Sequence, residues 1–346
     1  MENVLDLTKW YKKNFRDLPW RSTNDPYKIW LSEIILQQTQ VVQGLSYYHR
    51  FVTVYPTVAS LAAASEEEVL RHWQGLGYYS RARNLHRTAK LITNEYQGVF
   101  PASKSELLTL PGVGDYTASA IASFAFNLPH PTIDGNVFRV ISRYYDIDLP
   151  VDEPATRKVF QAILQPMIEQ TDPAIFNNAL MELGATLCKT DQPDCLNCPL
   201  FIDCQSRINN TIAIRPVKRK KLKKRNRFFN YLLIRYKDKI YIKKRKGKDI
   251  WEGLYELPLL ETEKNIEWSA LFPLLNTIVS NPQVLNFSAQ SSFKHVLTHQ
   301  NLYVNFFEVL TDEQPIFTSE ACLEINLKDS TKFPFPILVS KFLLSL

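Results

Sequence analysis

Leu110-Pro111-Gly112-Val113-Gly114, followed by Asp115-Tyr116-Thr117-Ala118-Ser119-Ala120-Ile121, sets a proline and two glycines between two runs of helically spaced apolar residues. Glycine is scarce, ten in 346 residues, so each marks a place where the backbone needs it. The expected structure is a tight hairpin whose N–H groups open the following helix. Such a turn can hold a phosphate oxygen through backbone donors and the helix dipole, without reading base sequence. Pro-Gly-x-Gly is more elaborate than a plain helix connector requires.

Outward from the hairpin, the chain from Leu5 to about Ile208 keeps helical spacing, as in Ile29-Trp30-Ile34-Leu36, Val69-Leu70-Trp73 and Leu85-Ala89-Ile92. Ser65 followed by Glu68 has the spacing of a capping box. The stretch Arg215 to Arg227 breaks the pattern with nine Lys and Arg and no acid, and is the natural domain boundary. Beyond it, Phe228 to Arg235, Lys239 to Arg245 and Leu302 to Val309 are rich in β-branched and aromatic residues around short polar turns, which predicts strands. The expected organisation is therefore a helical domain over 1–214, a basic linker over 215–227 and an α+β domain over 228–346.

Composition limits the function classes. With 45% apolar and 22% charged residues the chain is neither collagenous nor disordered nor a disulfide scaffold. The net charge of +6 lies almost wholly in the basic stretch, without which 32 Lys and Arg face 35 Asp and Glu, so a polyanion would be drawn mainly to that segment. No apolar run approaches about 18 residues, and MENVLDLTKWYKK lacks the order of a signal peptide, so a soluble cytoplasmic protein is expected. Cys188, Cys195, Cys198 and Cys204 fall within seventeen residues while Cys322 stands apart, a clustering that predicts a metal site. The C-x6-C-x2-C-x5-C spacing suits either tetrahedral zinc or an iron-sulfur cluster.

Two carboxyl groups carry candidate chemistry. Glu33 lies at helical neighbour spacing from Trp30, Ile34 and Gln37, so burial should raise its pKa and keep it protonated near neutrality. Asp134, before Gly135-Asn136-Val137, reads as a helix N-cap whose backbone donors and dipole should favour the ionised form. Carboxyls pushed in opposite directions supply one acid and one anion.

The hairpin, Ile133-Asp134-Gly135-Asn136-Val137 and the cysteine spacing together resemble the helix-hairpin-helix DNA glycosylase superfamily. More narrowly, Trp30-Leu31-Ser32-Glu33-Ile34-Ile35-Leu36-Gln37-Gln38-Thr39-Gln40 and Gly75-Leu76-Gly77-Tyr78-Tyr79-Ser80-Arg81 resemble the MutY-type adenine DNA glycosylases. The resemblance implies an all-α helix-hairpin-helix domain with an iron-sulfur loop over 188–204, followed by a Nudix-like domain. It implies excision of adenine paired with 8-oxoguanine or guanine in duplex DNA, by a monomer active in base excision repair. Glu33 would protonate adenine at N7 and later activate water, and Asp134 would stabilise the oxocarbenium-like sugar or transiently bond to it.

The resemblance further assigns a 4Fe-4S cluster to Cys188, Cys195, Cys198 and Cys204, backbone phosphate contacts to Gly112 and Gly114, a place near the adenine pocket to Arg16, and orientation of Asp134 to Asn136. Gln38 and Tyr78 match positions that wedge into the duplex, because a base that leaves the stack vacates space that must be filled. Endonuclease III-type relatives carry a Schiff-base lysine where this chain has Tyr116, so strand cleavage is not expected, and Tyr116 should sit beside the sugar as a hydrogen-bonding partner.

In the second domain, Tyr241-Ile242-Lys243-Lys244-Arg245 and Gly253-Leu254-Tyr255-Glu256-Leu257-Pro258 look like the Nudix-related module of the family, without the glutamate-rich helix of pyrophosphohydrolases. Binding of 8-oxoguanine without hydrolysis is implied. Phe293-Lys294-His295-Val296-Leu297-Thr298-His299 stands where the family's recognition loop ends in Phe-Ser-His. Thr298 keeps a hydroxyl for the lesion beside His299, whereas Leu297 replaces an aromatic wedge.

Overall fold

The computed structural model describes residues 2–219, 224–280, 284–318 and 322–346. In chain order the helices are α1 (Glu2–Asn14), α2 (Pro26–Leu36), α3 (Val41–Val54), α4 (Val58–Ala63), α5 (Glu66–Trp73), α6 (Ser80–Glu95), α7 (Lys104–Leu107), α8 (Asp115–Phe126), α9 (Gly135–Tyr144), α10 (Pro154–Ile168), α11 (Pro173–Thr186), α12 (Gln205–Ile208), α13 (Trp268–Leu271) and α14 (Ile337–Leu344). The strands are β1 (Arg225–Tyr236), β2 (Lys239–Lys244), β3 (Tyr255–Glu256), β4 (Leu259–Thr262), β5 (Val279–Ser280), β6 (Val284–Val296), β7 (Gln300–Thr311), β8 (Ile316–Phe317) and β9 (Leu323–Asn326). The change from helices to sheet falls where the sequence pattern changes. Contacts divide the chain into one unit of residues 1–63 and 84–220 and a second of residues 64–83 and 221–346.

The first unit is helical. α2 starts on Asp25, whose side chain accepts from the Tyr27 amide, with Pro26 in the first turn where its missing N–H costs nothing. Eight consecutive or near-consecutive α2 residues from Tyr27 to Ile35 are buried, so this helix runs through the core rather than along its surface. The hairpin before α8 is tight because Gly112 has φ +76° and packs so close to α6 that a Cβ would come within 2.7 Å of the Asn84 side chain. A separate core under α9 and α11 gathers Phe138, Ile141, Phe160, Phe176, Leu180 and Leu183.

In the second unit, β1 and β7 run parallel through eleven paired residues at the centre of a sheet of order β3-β2-β1-β7-β6, with β4 on β1 and β9 on β2. Alternation decides its two faces. Phe229, Tyr231 and Leu233 enter one core with Val304, Phe306 and Phe342, whereas Leu232 and Ile234 enter the other with Phe307 and Val309. β1 is therefore buried on both sides.

Two features bear on the domain boundaries. Residues 64–83 follow a helical pattern, yet they group with the second unit: Lys244 Nζ and the Tyr255 hydroxyl reach Glu67 Oε1 at 2.8 and 2.9 Å, and Arg83 pairs with Glu252 at 2.8 Å. Helical periodicity reports that a face is buried, not what buries it. The expected capping box is present there, with Ser65 and Glu68 bonded reciprocally. The basic stretch is held by ion pairs at several points. Arg215 pairs with Asp146 at 2.9 Å and Arg219 with Glu153 at 2.9 Å, while Arg227 is buried in β1 between Asp249 and Glu261. Its residues 220–223 lie outside the described residues.

Candidate active site

Glu33, on the buried helix α2, opens into a cavity of about 570 Å³. Tyr116 from the first turn of α8, Asp134 and Asn136 at the start of α9, and Arg16 and Arg21 ahead of α2 line the same cavity. The two candidate carboxyls thus face one space, although 101 residues separate them in the chain. Gln37 Nε2 reaches Thr117 Oγ1 at 3.2 Å and ties α2 to α8 at this level.

Glu33 is 7% exposed. Burial pushes its carboxyl up to about 7; a Tyr116 hydrogen bond and the Arg21 charge pull it down and the Asp134 charge pushes it up. The direction is the expected one. Burial, with the charges of Glu33 and Asp134, raises the Tyr116 hydroxyl well above its ordinary value, so it stays protonated; its oxygen also lies 3.5 Å from Met181 Sδ.

Asp134 is the N-cap of α9. Its Oδ1 accepts from the Val137 amide at 2.8 Å and its Oδ2 from Asn136 Nδ2 at 2.7 Å, while Asn136 Oδ1 accepts from Arg139 Nη2 at 2.8 Å. Gly184 on α11 makes room, since a Cβ there would meet Asn136 Cβ at 2.6 Å and its backbone at 3.1 Å. The expected depression of the Asp134 pKa is not found. Burial raises it, and the bonds from Val137 and Asn136 oppose that rise without reversing it. Both carboxyls are pushed upward; what separates them is donor supply, with two backbone amides and a side-chain amide on Asp134 against one hydroxyl on Glu33.

Two residues that sequence reasoning passed over belong to this wall or stand directly behind it. Arg21 lines the cavity beside Arg16, and both guanidinium groups bond to Glu182, whose side chain is fully buried on α11. A signal was present: Glu182 is the only charged residue between Pro173 and Thr186.

The other candidates fall elsewhere. Gln38 is exposed just after α2 with φ +54°, and Gly112 and Gly114 are exposed at the hairpin, where Gly114 caps α8 and open space surrounds the place of its missing Cβ. Cys188, Cys195, Cys198 and Cys204 line a small cavity of about 30 Å³ together with Arg143 and Arg207. Arg143 Nη1 lies 3.4 Å from Cys188 Sγ. Burial and the neighbouring sulfurs raise the thiols of Cys195 and Cys204, and burial above all pushes Cys198 up to about 12. Among the described residues, no group of three or more His, Cys, Asp or Glu is arranged to hold a single metal ion.

In the second unit, Tyr78, Thr298 and His299 line one cavity of about 420 Å³ with Trp251, His295 and Leu297. Tyr78 (φ +47°) and Thr298 are joined by a hydrogen bond between their hydroxyls. The expected recognition loop is a strand followed by a turn: Phe293 to Val296 end β6, the Leu297 amide donates to Gln300 O, and β7 begins at Gln300. No described helix is long and apolar enough to cross a membrane.

A family model described as "HhH-GPD superfamily base excision DNA repair protein" matches residues 31–166, and a NUDIX domain model matches residues 230–345. The adenine DNA glycosylase of Buchnera aphidicola subsp. Baizongia pistaciae is 35% identical over 345 residues, covering 97% of this chain and 94% of that one. The human adenine DNA glycosylase is 40% identical over 210 residues, 58% of this chain and 38% of that one. A solved thermostable thymine-DNA glycosylase superimposes with a TM-score of 0.53 and 27% identity, over 60% of this chain and 95% of that one.

The helical unit, and the sheet that follows, are those of a helix-hairpin-helix DNA N-glycosylase of base excision repair carrying a Nudix-like domain. Within that class the chain belongs to the adenine DNA glycosylase family.

Proposed function

We propose that the chain hydrolyses the N-glycosidic bond of adenine paired with 8-oxoguanine or guanine in duplex DNA, and leaves the strand intact. The observation that carries this reading is the meeting of Glu33 and Asp134 on one cavity, beside a protonated tyrosine. Adenine leaves with a proton. A carboxyl held near 7 keeps a substantial protonated fraction at neutral pH and, by the family resemblance, delivers that proton to N7. As the bond breaks, the sugar gains positive charge, which the Asp134 carboxylate stabilises from its amide-bonded cap. The Glu33 carboxylate left behind then takes a proton from the attacking water.

Among the described residues no lysine lines the cavity, and the position where the lyase-type relatives carry one is Tyr116, which supports a monofunctional enzyme. Arg16 and Asn136, on the same wall, hold the nucleoside and Asp134 respectively. Gly112 and Gly114 present backbone donors to a phosphate, and Gln38 and Tyr78, held in left-handed backbone that costs about 1–3 kcal/mol each, fill the space left by the extruded base. Thr298 and His299 read the 8-oxoguanine side of the mispair.

Cys188, Cys195, Cys198 and Cys204 suit a 4Fe-4S cluster, because four thiols converge on one cavity with Arg143 beside a sulfur. Bound there, a cluster would hold the 188–204 loop in its fold. Iron and acid-labile sulfide present in about equal amounts in purified protein, and lost together in Cys195→Ser, is the expected result.

The decisive experiment incubates the protein with duplexes carrying A:8-oxoguanine, A:G, A:T and C:8-oxoguanine, followed by hot alkali. Strand breakage only after alkali, at the first two pairs and at adenine, is expected. Intact strands throughout would leave a DNA-binding protein without this activity, and breakage before alkali, with borohydride trapping of an adduct, would make it a lyase.

A further inference from the structure

Glu182 lies on the first unit's helix α11 with its side chain fully buried, and among the described residues the side chains that donate to its carboxylate are both arginines. Arg16 reaches it three times, through its backbone N–H at 3.2 Å, Nε at 2.7 Å and Nη2 at 2.9 Å. Arg21 donates to the second oxygen at 2.7 Å, is itself 9% exposed, and is held from two more sides by the Arg16 carbonyl at 3.1 Å and the Tyr11 ring. Both arginines line the Glu33 cavity. Two guanidinium groups side by side repel each other, and burial of Arg21 without a counter-charge is costly; one carboxylate bonded to both arginines offsets the repulsion and that burial.

We propose that Glu182 is a positioning residue for base excision: by gripping Arg16 and Arg21 together, it fixes where the positive charge of the cavity wall lies and how strongly that charge acts on the Glu33 carboxyl. This rests on the reading of the cavity as the excision site. The charged and titratable groups facing Glu33 are Tyr116 on α8, Asp134 at the start of α9 and Arg21 ahead of α2, with Arg16 beside it on the wall. α3 offers only Val41 and Val42, and from α11 the cavity takes uncharged residues such as Asn178 and Met181. Arg21 is thus the cation that acts on Glu33, and Glu182 sets its net strength. Burial pulls the Glu182 carboxyl up, but the bonds and charges of Arg16 and Arg21 outweigh it and hold the group ionised below its ordinary value.

The two sides of the ion pair make opposite predictions. Glu182→Gln leaves Arg21 without its counter-charge, favours ionised Glu33, and moves the alkaline limb of the single-turnover excision rate on A:8-oxoguanine duplex down by about 0.5–1 pH unit. Arg21→Gln removes the cation while Glu182 keeps Arg16, and moves the same limb up by a similar amount. Glu182→Asp retains the charge but not the reach, so the limb stays while the plateau rate drops severalfold.

The same shifts are expected without turnover, in carbon-13 NMR titration of the Glu33 carboxyl in the full-length protein, assigned by its absence in Glu33→Gln. Limbs moving in the same direction in Glu182→Gln and Arg21→Gln, or unmoved in both, would overturn the proposal, because a purely structural trio changes the amount of active protein and not its titration. If Glu182→Gln fails to fold, Arg21→Gln decides, with an unmoved or lowered Glu33 titration counting against. Absence of adenine release by the unaltered protein would refute the excision reading instead, while the NMR titration still tests the charge coupling.

Discussion

At the scale of single residues, the proposed chemistry rests on how differently the protein supports Glu33, which is buried, and Asp134, which is half-buried at a helix cap. Glu33 has one hydroxyl partner and loses most of its water, so its protonated form is favoured up to about 7. Replacing it with glutamine keeps shape and removes the transferable proton. Glu33→Gln is expected to abolish adenine release, by about 100-fold or more, with binding to the lesion duplex largely retained. Unchanged turnover would remove Glu33 from the mechanism. For the unaltered protein the sign of the pH dependence follows from the acid role: the single-turnover rate is highest where Glu33 is protonated and declines about tenfold per pH unit once the pH passes its pKa. A rate that instead rose through neutrality would mean that a base, not an acid, limits the reaction.

At the scale of elements, α9 shows how one residue serves both fold and site. Asp134 caps the helix and faces the cavity, so substitutions separate its two tasks. Asp134→Asn keeps an oxygen for the Val137 amide but loses the acceptor for Asn136 Nδ2, so it should cost less stability than Asp134→Ala, which also gives up about 1 kcal/mol with the cap; adenine release should collapse in both. Equal stability in both would show that the cap contributes nothing. Gly184→Ala should cost about 1–3 kcal/mol and slow excision, because its new methyl displaces Asn136 and with it the Asp134 carboxyl. The sequence showed Asp134 as a cap and Glu33 as a buried acid because both follow from near neighbours in the chain. It did not show that burial outweighs the cap in setting the Asp134 pKa, nor that Arg16 and Arg21 share a carboxylate some 160 residues away, since local pattern carries no information about which helices meet. The lone charge in α11 was legible; its partners were not.

At the scale of the whole molecule, the residues proposed for excision lie in the first unit, whereas Thr298 and His299, proposed to read the opposite base, lie in the second beside Tyr78. That division makes a test of independence possible in the intact chain. Thr298→Val removes the hydroxyl bonded to Tyr78 and leaves a side chain of nearly the same volume, so the second cavity keeps its shape and loses one donor and acceptor. Excision from A:8-oxoguanine is expected to slow by about 5- to 10-fold, the loss of one neutral hydrogen bond, with excision from A:G little changed. Tyr116→Phe, in the first unit, should instead slow both substrates by the same factor, since its hydroxyl touches Glu33 and not the opposing base. In the double variant the two penalties should add to within about 0.5 kcal/mol, as they do for sites that share no partner. A preference for 8-oxoguanine over guanine that survives Thr298→Val intact would place lesion reading on other groups of that cavity, and a strong departure from additivity would show that reading and excision are one coupled event.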